Sequence, residues 1–287
     1  MKEKFTGTEE GISKFSVLMT VYGRERVSRL DEALNSLENQ TVLPDEIVLV
    51  KDGRLNSSLD DVISHHNNKN KKLYNIISLE MNHGRGYASK IGIKHISNKW
   101  FARMDSDDIS FKNRFELQLN AINKYEKVYP NLAVVGGQIC EFMNSKTNIV
   151  GYRKVPLAPD EIESFAAYRS PINNPTVMIN KEALLDIGNY SELNVLEDYD
   201  LWVRFLSAGY TLINIPNVIV DMRVDNDMYK RRGGFKYLWT YIKKKREWTR
   251  RGIGSSKTVT LSSLAMLGSI LFPVTLRKVL YQKFLHK

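Results

Sequence analysis

Apolar residues in the first hundred positions fall into short runs alternating with helical stripes. Residues 15–22 form a near-continuous apolar run that predicts a strand, and Leu30, Ala33, Leu34 and Leu37 then recur at the spacing of one helix face. Residues 46–51 are a second apolar strand ending at the turn signal Asp52-Gly53. Residues 58–66 predict a helix and residues 73–79 a third strand. The polar loop Asn82-His83-Gly84-Arg85-Gly86 leads into a helix over residues 87–96, with Ala88, Ile91, Gly92 and His95 on one side. Residues 100–104 close the set as a fourth strand. Strand and helix alternating through loops of a few residues imply an α/β fold: a largely parallel sheet with helices on both faces.

The second half is patterned less regularly. Phe115, Leu119, Ile122 and Tyr125 predict a helix over residues 114–129, and residues 132–139 a strand in which Gly136-Gly137 implies close backbone approach. A rigid loop, Pro171-Ile172-Asn173-Asn174-Pro175, leads into a strand over residues 176–179. Asn194 and Glu197 have capping-box spacing. The helix they open, residues 197–208, carries Tyr199, Leu201, Trp202, Val203, Phe205 and Leu206; apolar on most sides, it is expected to be buried, with Gly209 ending it.

Length and composition narrow the class. At 287 residues, 43% hydrophobic and 26% charged, the chain can bury a sizeable core and is not a disordered polymer. The single cysteine, Cys140, excludes a disulfide framework and cysteine-rich zinc sites and fits a reducing compartment. Residues 1–13 are polar and charged, and residues 15–21 are too short and mixed for a signal-peptide core. The net charge of +10 is unevenly spread. Residues 228–287 hold fifteen Lys or Arg and one acid, Glu247, while residues 1–227 hold 27 basic and 31 acidic side chains. A mildly acidic body thus carries a strongly basic tail, which points to an anionic surface as the tail's partner, lipid or nucleic acid.

The candidate chemistry concentrates where strands end. Residues 100–104 run straight into Asp105-Ser106-Asp107-Asp108. Asp105 and Asp107 can project to one side in extended chain, toward the crevice where α/β sheets bind ligands. Hard oxygen ligands suit Mg²⁺ or Mn²⁺ shared with a ligand's phosphates; a polar turn capping the next helix is the competing reading. Asp52, above the second strand, can accept the imide N–H of a pyrimidine base or simply make a turn. Tyr22, ending the first strand, can stack on that base or serve packing. Glu197-Asp198 can favour the positive end of a helix dipole, or mount a general base at the start of a buried helix. Gly84-x-Gly86 lacks the third glycine of a dinucleotide fingerprint, and His83 and His95 read as surface or packing residues rather than metal ligands.

Taken in order, Tyr22, Asp52-Gly53, Asn82-x-Gly84, Asp105-Ser106-Asp107-Asp108, Asn173-Asn174-Pro175-Thr176-Val177 and Glu197-Asp198-Tyr199-Asp200-Leu201-Trp202 resemble family 2 glycosyltransferases of the GT-A fold. The resemblance covers residues 15–225 and is greatest to bacterial enzymes that assemble exopolysaccharide, capsule or O-antigen units. It implies a Rossmann-like GT-A domain over residues 1–227, with a nucleotide-binding half at 15–130 and an acceptor half at 131–227. It implies inverting transfer from a nucleotide-diphosphate sugar, UDP or dTDP favoured, to a glycan or lipid-linked acceptor. Asp52 and Tyr22 would hold the base, Asp105 the ribose and metal, Asp107 the divalent cation, and Asp198 would be the catalytic base. Three positions depart from the family pattern: Lys51 where a second aspartate is common, Ala88-Ser89-Lys90 where Ala-Arg-Asn is common, and Asn174 where many relatives carry histidine. No Gln-x-x-Arg-Trp follows Asp198, which implies a single-addition enzyme rather than a processive polymerase.

The basic tail, residues 228–287, interleaves Phe235, Leu238, Trp239, Ile242 and Trp248 with Lys and Arg, as a membrane-surface helix does. Residues 259–276 are uncharged and near the lower length limit for a membrane span, so they are expected to lie in the interface rather than cross the bilayer, the competing reading being a tail that packs on the body. The expected location is cytoplasmic, peripheral on the inner face of the cell membrane. A nucleotidyltransferase would share the sheet and metal but would carry a glycine-rich basic loop after the first strand, of which Gly23-Arg24-Glu25-Arg26 is a poor version. A nucleic-acid-binding protein would show a recognisable module and no acidic crevice, so no nucleic acid partner is expected.

Overall fold

The computed structural model describes residues 14–191, 193, 195–225 and 234–271. β1 (Ser16–Tyr22), α1 (Val27–Glu38), β2 (Glu46–Asp52), α2 (Ser57–Lys69), β3 (Tyr74–Ser78), α3 (Arg85–Ile93) and β4 (Trp100–Asp105) alternate as expected. They are followed by β5 (Ile109–Ser110), α4 (Arg114–Tyr125), β6 (Leu132–Phe142), β7 (Ile149–Arg153), α5 (Pro159–Ala166), β8 (Met178–Asn180), α6 (Lys181–Asp186), α7 (Glu197–Ser207) and β9 (Thr211–Arg223). Two further helices, α8 (Phe235–Arg250) and α9 (Ser256–Leu271), complete the described chain.

The strands form one sheet in the order β3-β2-β1-β4-β8-β6-β9-β5, with β7 paired to β6. β3, β2, β1 and β4 run parallel. β8 joins β4 and β6 antiparallel, and β6 and β9 are again parallel. Side chains on each strand alternate between two cores. Val17, Met19, Ile47, Leu49, Trp100 and Ala102 meet α1, α2 and α4 on one face. Leu18, Val48, Val50 and Phe101 meet α3, α6 and α7 on the other. Gly92 lets α3 lie against that second face, because a Cβ there would come within 2.4 Å of Leu18 Cδ1 and 2.9 Å of Val50 Cγ2.

Several boundaries differ from the periodicity. The helix expected over 114–129 stops at Tyr125. The strand expected from Thr176 begins at Met178, because residues 174–176 form a 3-10 turn. Thr176 Oγ1 fixes that turn, donating to Asn173 O (2.7 Å) and accepting from Gly137 N (2.9 Å). Helix α7 opens on Leu196 with φ +61° and no side-chain cap; Asn194, expected to cap it, lies outside the described residues.

Helix α8 does not stand apart from the body. Tyr241 and Trp248 are buried with Ala166, Tyr199, Val203 and Ile253 in a third cluster that joins α8 to α5 and α7. Within the described residues no helix is long and apolar enough to cross a membrane. The basic cluster at residues 229–233 and the end of the 259–276 stretch lie outside the described residues.

Candidate active site

Strand parity decides which side chains meet. Tyr22, Asp52 and Asp105 each end a strand and lie in step with Leu18, Val50 and Phe101, on the face that carries α3 and α7. Tyr22 sits beside Asp52 in the β1–β2 register, and Thr20 beside Asp105 in β1–β4. Lys51 falls on the opposite face and pairs with Asp60 of α2 at 2.6 Å, so this departure from the family pattern points away from the site. Tyr22 is 43% exposed, an open ring beside a buried carboxylate.

Asp52 organises the loop above it. Its Oδ1 accepts from His83 N (2.8 Å) and its Oδ2 from Gly84 N (2.9 Å), while its carbonyl accepts from Asn82 Nδ2 (3.2 Å). Each carboxylate oxygen retains acceptor capacity. Gly53, at φ +84°, allows this packing: a Cβ there would lie 2.6 Å from Asn82 N. The next residue after the anchored pair is Arg85, the first residue of α3.

Arg85 is half-exposed and reaches two elements. It pairs with Glu197 in the first turn of α7, and its Nη1 lies 4.0 Å from Asp105 Oδ1. Its surroundings work against a charge through desolvation, but Asp105, Glu197 and Asp198 outweigh this and hold the guanidinium protonated. Asp105 is further gripped by the buried Arg103, at 2.5 and 3.0 Å. Burial alone would raise the Asp105 pKa; Arg103 and Arg85 overcome it and hold the carboxyl below its ordinary value. Asp198 Oδ1 accepts from Tyr199 N at 2.8 Å, satisfying one free amide at the helix start. The left-handed Leu196 turns the chain into this helix, and such a conformation persists only where the surroundings fix it.

Asp107 and Asp108 follow in the turn after β4. Burial first, then Asp105 and Glu25, pushes the Asp107 pKa up to about 6. Asp108 is buried and its pKa is raised well above the usual range by burial and then by Asp107 and Asp105. Arg223, at the end of β9, clamps this turn: its backbone N donates to Asp108 Oδ1 (2.8 Å) and its Nε to Asp107 O (3.0 Å), while Nη2 pairs with Glu32 (2.6 Å). Beneath it the fully buried Arg114 donates to Arg103 O at 2.8 Å.

Among the described residues no group of three His, Cys, Asp or Glu side chains is placed to hold a metal ion. The donor set nevertheless fits a cation shared with a ligand. Asp107 is a hard carboxylate crowded by Asp105 and Glu25, whose repulsion Arg29 offsets only in part, and Mg²⁺ or Mn²⁺ is commonly held by one or two carboxylates plus substrate phosphates.

Sequence reasoning named Tyr22, Asp52, Asp105, Asp107 and Asp198 but not the residues that join them. Arg103 left a signal, a charge inside an apolar strand and in step with Asp105. Arg85 left none, because its partner is 112 positions away. Asp200, in the motif but without an assigned role, is buried and binds Arg204 Nε (3.1 Å), Lys244 Nζ (3.3 Å) and Trp248 Nε1 (2.9 Å).

Known proteins place the chain in a family and a fold. Residues 16–176 match the model of the family described as Glycosyl transferase family 2. An uncharacterized glycosyltransferase of Haemophilus influenzae is 38% identical over 96% of this chain and 100% of its own. The amylovoran biosynthesis glycosyltransferase AmsE of Erwinia amylovora is 33% identical over 94% of this chain and 98% of its own. The UDP-Gal:alpha-D-GlcNAc-diphosphoundecaprenol beta-1,3-galactosyltransferase of Escherichia coli is 33% identical over 96% and 97%. Among solved structures, the mannosyltransferase PcManGT of Pyrobaculum calidifontis, in complex with GDP-Man and Mn²⁺, superposes with a TM-score of 0.58 at 13% identity, over 95% of this chain and 84% of that one. S. aureus TarS 1-349 with UDP-GlcNAc gives 0.54 at 20% identity, over 76% and 64%. These structural likenesses show the GT-A fold, and with the sequence matches they establish that the chain belongs to glycosyl transferase family 2.

Proposed function

We propose that this chain moves a sugar from a nucleoside-diphosphate donor, UDP or dTDP, to a hydroxyl of a lipid-linked glycan, with inversion, in the assembly of a cell-surface polysaccharide. The observation that carries this reading is the Arg85 bridge, which ties the acidic end of β4 to the first turn of α7 directly above the loop that Asp52 anchors. The relatives named for amylovoran synthesis and for a diphosphoundecaprenol acceptor support the acceptor class.

Tyr22 stacks on the base and Asp52 accepts its imide N–H with the acceptor capacity left after the loop amides are satisfied. Asp105, held by Arg103 and Arg85, faces the ribose and, together with Asp107, would hold the divalent cation. What Mg²⁺ or Mn²⁺ supplies at Asp107 and Asp105 is compensation for charge growing on the departing diphosphate. Asp198 takes the proton of the acceptor hydroxyl as its oxygen bonds to the anomeric carbon. The bond from that carbon to the β-phosphate oxygen breaks, its electron pair leaving with the diphosphate. A single displacement of this kind needs one base and no enzyme nucleophile. The enzyme works at the inner face of the cell membrane, where a lipid-linked acceptor resides.

The test is calorimetric titration with UDP in the presence and absence of Mn²⁺, followed by a donor screen by mass spectrometry against a lipid-linked acceptor extract. Mn²⁺-dependent UDP binding and a product heavier by one sugar are expected; indifference to uridine and thymidine nucleotides alike would overturn the reading.

A further inference from the structure

Helix α8 carries two stripes on opposite sides. Leu238, Tyr241, Lys245 and Trp248 recur at three- and four-residue spacing and are buried against the body. Phe235, Trp239, Lys243, Arg246 and Arg250 recur at the same spacing and face outward, with Phe235 71% and Trp239 72% exposed. Among the described residues none of these three cations pairs with a carboxylate. Glu247, the one acid of the helix, is taken by Lys244 (3.0 Å) and Arg251 (2.9 Å). Leu261 and Leu264 of α9 are exposed as well.

Two bare aromatic rings in line with three cations that no described carboxylate pairs ask for a partner that is both apolar and anionic. A second copy of this chain would bring like charges together. A bilayer with anionic headgroups satisfies both demands: rings settle at headgroup depth and cations meet phosphates.

The inner stripe holds the helix that bears Asp198. Trp248 Nε1 and Lys244 Nζ donate to Asp200 Oδ1 at 2.9 and 3.3 Å, and Lys245 Nζ donates to Tyr199 OH (3.0 Å) and to Ala167 O. Tyr241 OH donates to Tyr168 O at 3.2 Å. Tyr199 and Asp200 are the two residues after Asp198 on the same helix.

We propose that the outer stripe of α8 seats on an anionic bilayer and that its inner stripe fixes the helix carrying Glu197 and Asp198 relative to that surface. The strap thereby orients the base toward an acceptor embedded in the lipid. The usefulness of this device, though not the docking itself, rests on the lipid-linked acceptor proposed above.

The test uses the full chain with vesicles of phosphatidylcholine alone or mixed with phosphatidylglycerol. Binding to the mixed vesicles only is expected, weakening about fivefold for each of Lys243→Ala, Arg246→Ala and Arg250→Ala. Phe235→Ser with Trp239→Ser should remove the binding that survives high salt. Wild-type affinity in the triple cation variant, or self-association through the stripe without vesicles, overturns the surface. Hydrogen exchange reads the coupling: mixed vesicles should slow amides of residues 197–207, and Trp248→Phe should keep vesicle binding but lose that slowing. Unchanged exchange over 197–207 in the wild type overturns the coupling. A chain that docks on vesicles yet binds no UDP leaves this proposal standing and refutes the enzymatic reading instead.

Discussion

Arg85 and Glu197 form an ion pair between residues 112 positions apart, closing the gap between the start of α3 and the start of α7. The same guanidinium reaches toward Asp105, so one side chain links the strand that ends in acids to the helix that carries Asp198.

Removing that link should damage transfer more than stability. Arg85 is half-exposed, and pairs of this kind contribute about 0–1 kcal/mol to folding. Arg85→Gln is expected to lower turnover about a hundredfold, the order of loss that follows misplacement of reacting groups. Thermal melting beside the kinetic assay checks this; a large drop in melting temperature with intact turnover in the surviving fraction would be the wrong result.

Asp52 is predicted to have two jobs, and a conservative change separates them. Asp52→Asn places an amide donor against the N–H of either His83 or Gly84, at a cost of about 1–3 kcal/mol for a buried group left unpaired. Uridine-nucleotide affinity should fall about tenfold or more with it, read by titration with UDP. Loss of stability without loss of UDP affinity would leave Asp52 a loop anchor only.

Asp198→Asn should leave UDP binding near the wild-type value and lower transfer by about 10²–10⁴-fold, the usual range for a lost general base. Turnover within a few-fold of wild type would transfer the role to another group, Glu197 first.

The α8 strap makes a pH prediction. Burial lowers the Lys245 pKa to about 8 from 10.5, so the folded chain releases this proton before the unfolded chain does. Between pH 8 and 10.5 the unfolded state binds more protons, and stability therefore rises with pH across that window. Relative to Lys245→Met, the wild type should gain on the order of 2–3 kcal/mol from pH 7 to pH 10.5. Chemical denaturation of both proteins at a series of pH values checks this; parallel curves would show that Lys245 carries no such burden.

The sequence disclosed what local pattern controls. β1, β2 and β4 are predominantly apolar runs, and α1 shows its buried face as Leu30, Ala33, Leu34 and Leu37, so the sheet and its helices were legible. The long strand β9 was not, because Pro216 and Asn217 interrupt its apolar pattern while pairing with β6 holds it in register. In the site, acids that end strands were visible, whereas their arginine partners depend on packing: Arg103 on strand parity, Arg85 on a loop placed by Asp52. In the tail, the interleaving of rings and cations disclosed an amphipathic helix but not which stripe faces inward. That is decided by Asp200, which draws Trp248 and Lys244 to the body and leaves Phe235 and Trp239 in the open.

The most direct measurement is anomalous diffraction from crystals soaked with UDP and Mn²⁺. The ion should appear at Asp107, with the uracil between Tyr22 and Asp52 and the diphosphate on the side of the sheet where α7 presents Asp198. An ion in the separate groove lined by Glu32, Asn35, Lys112 and Asp221, or a nucleotide on the α1–α2 face, would contradict a single site built from these three acids.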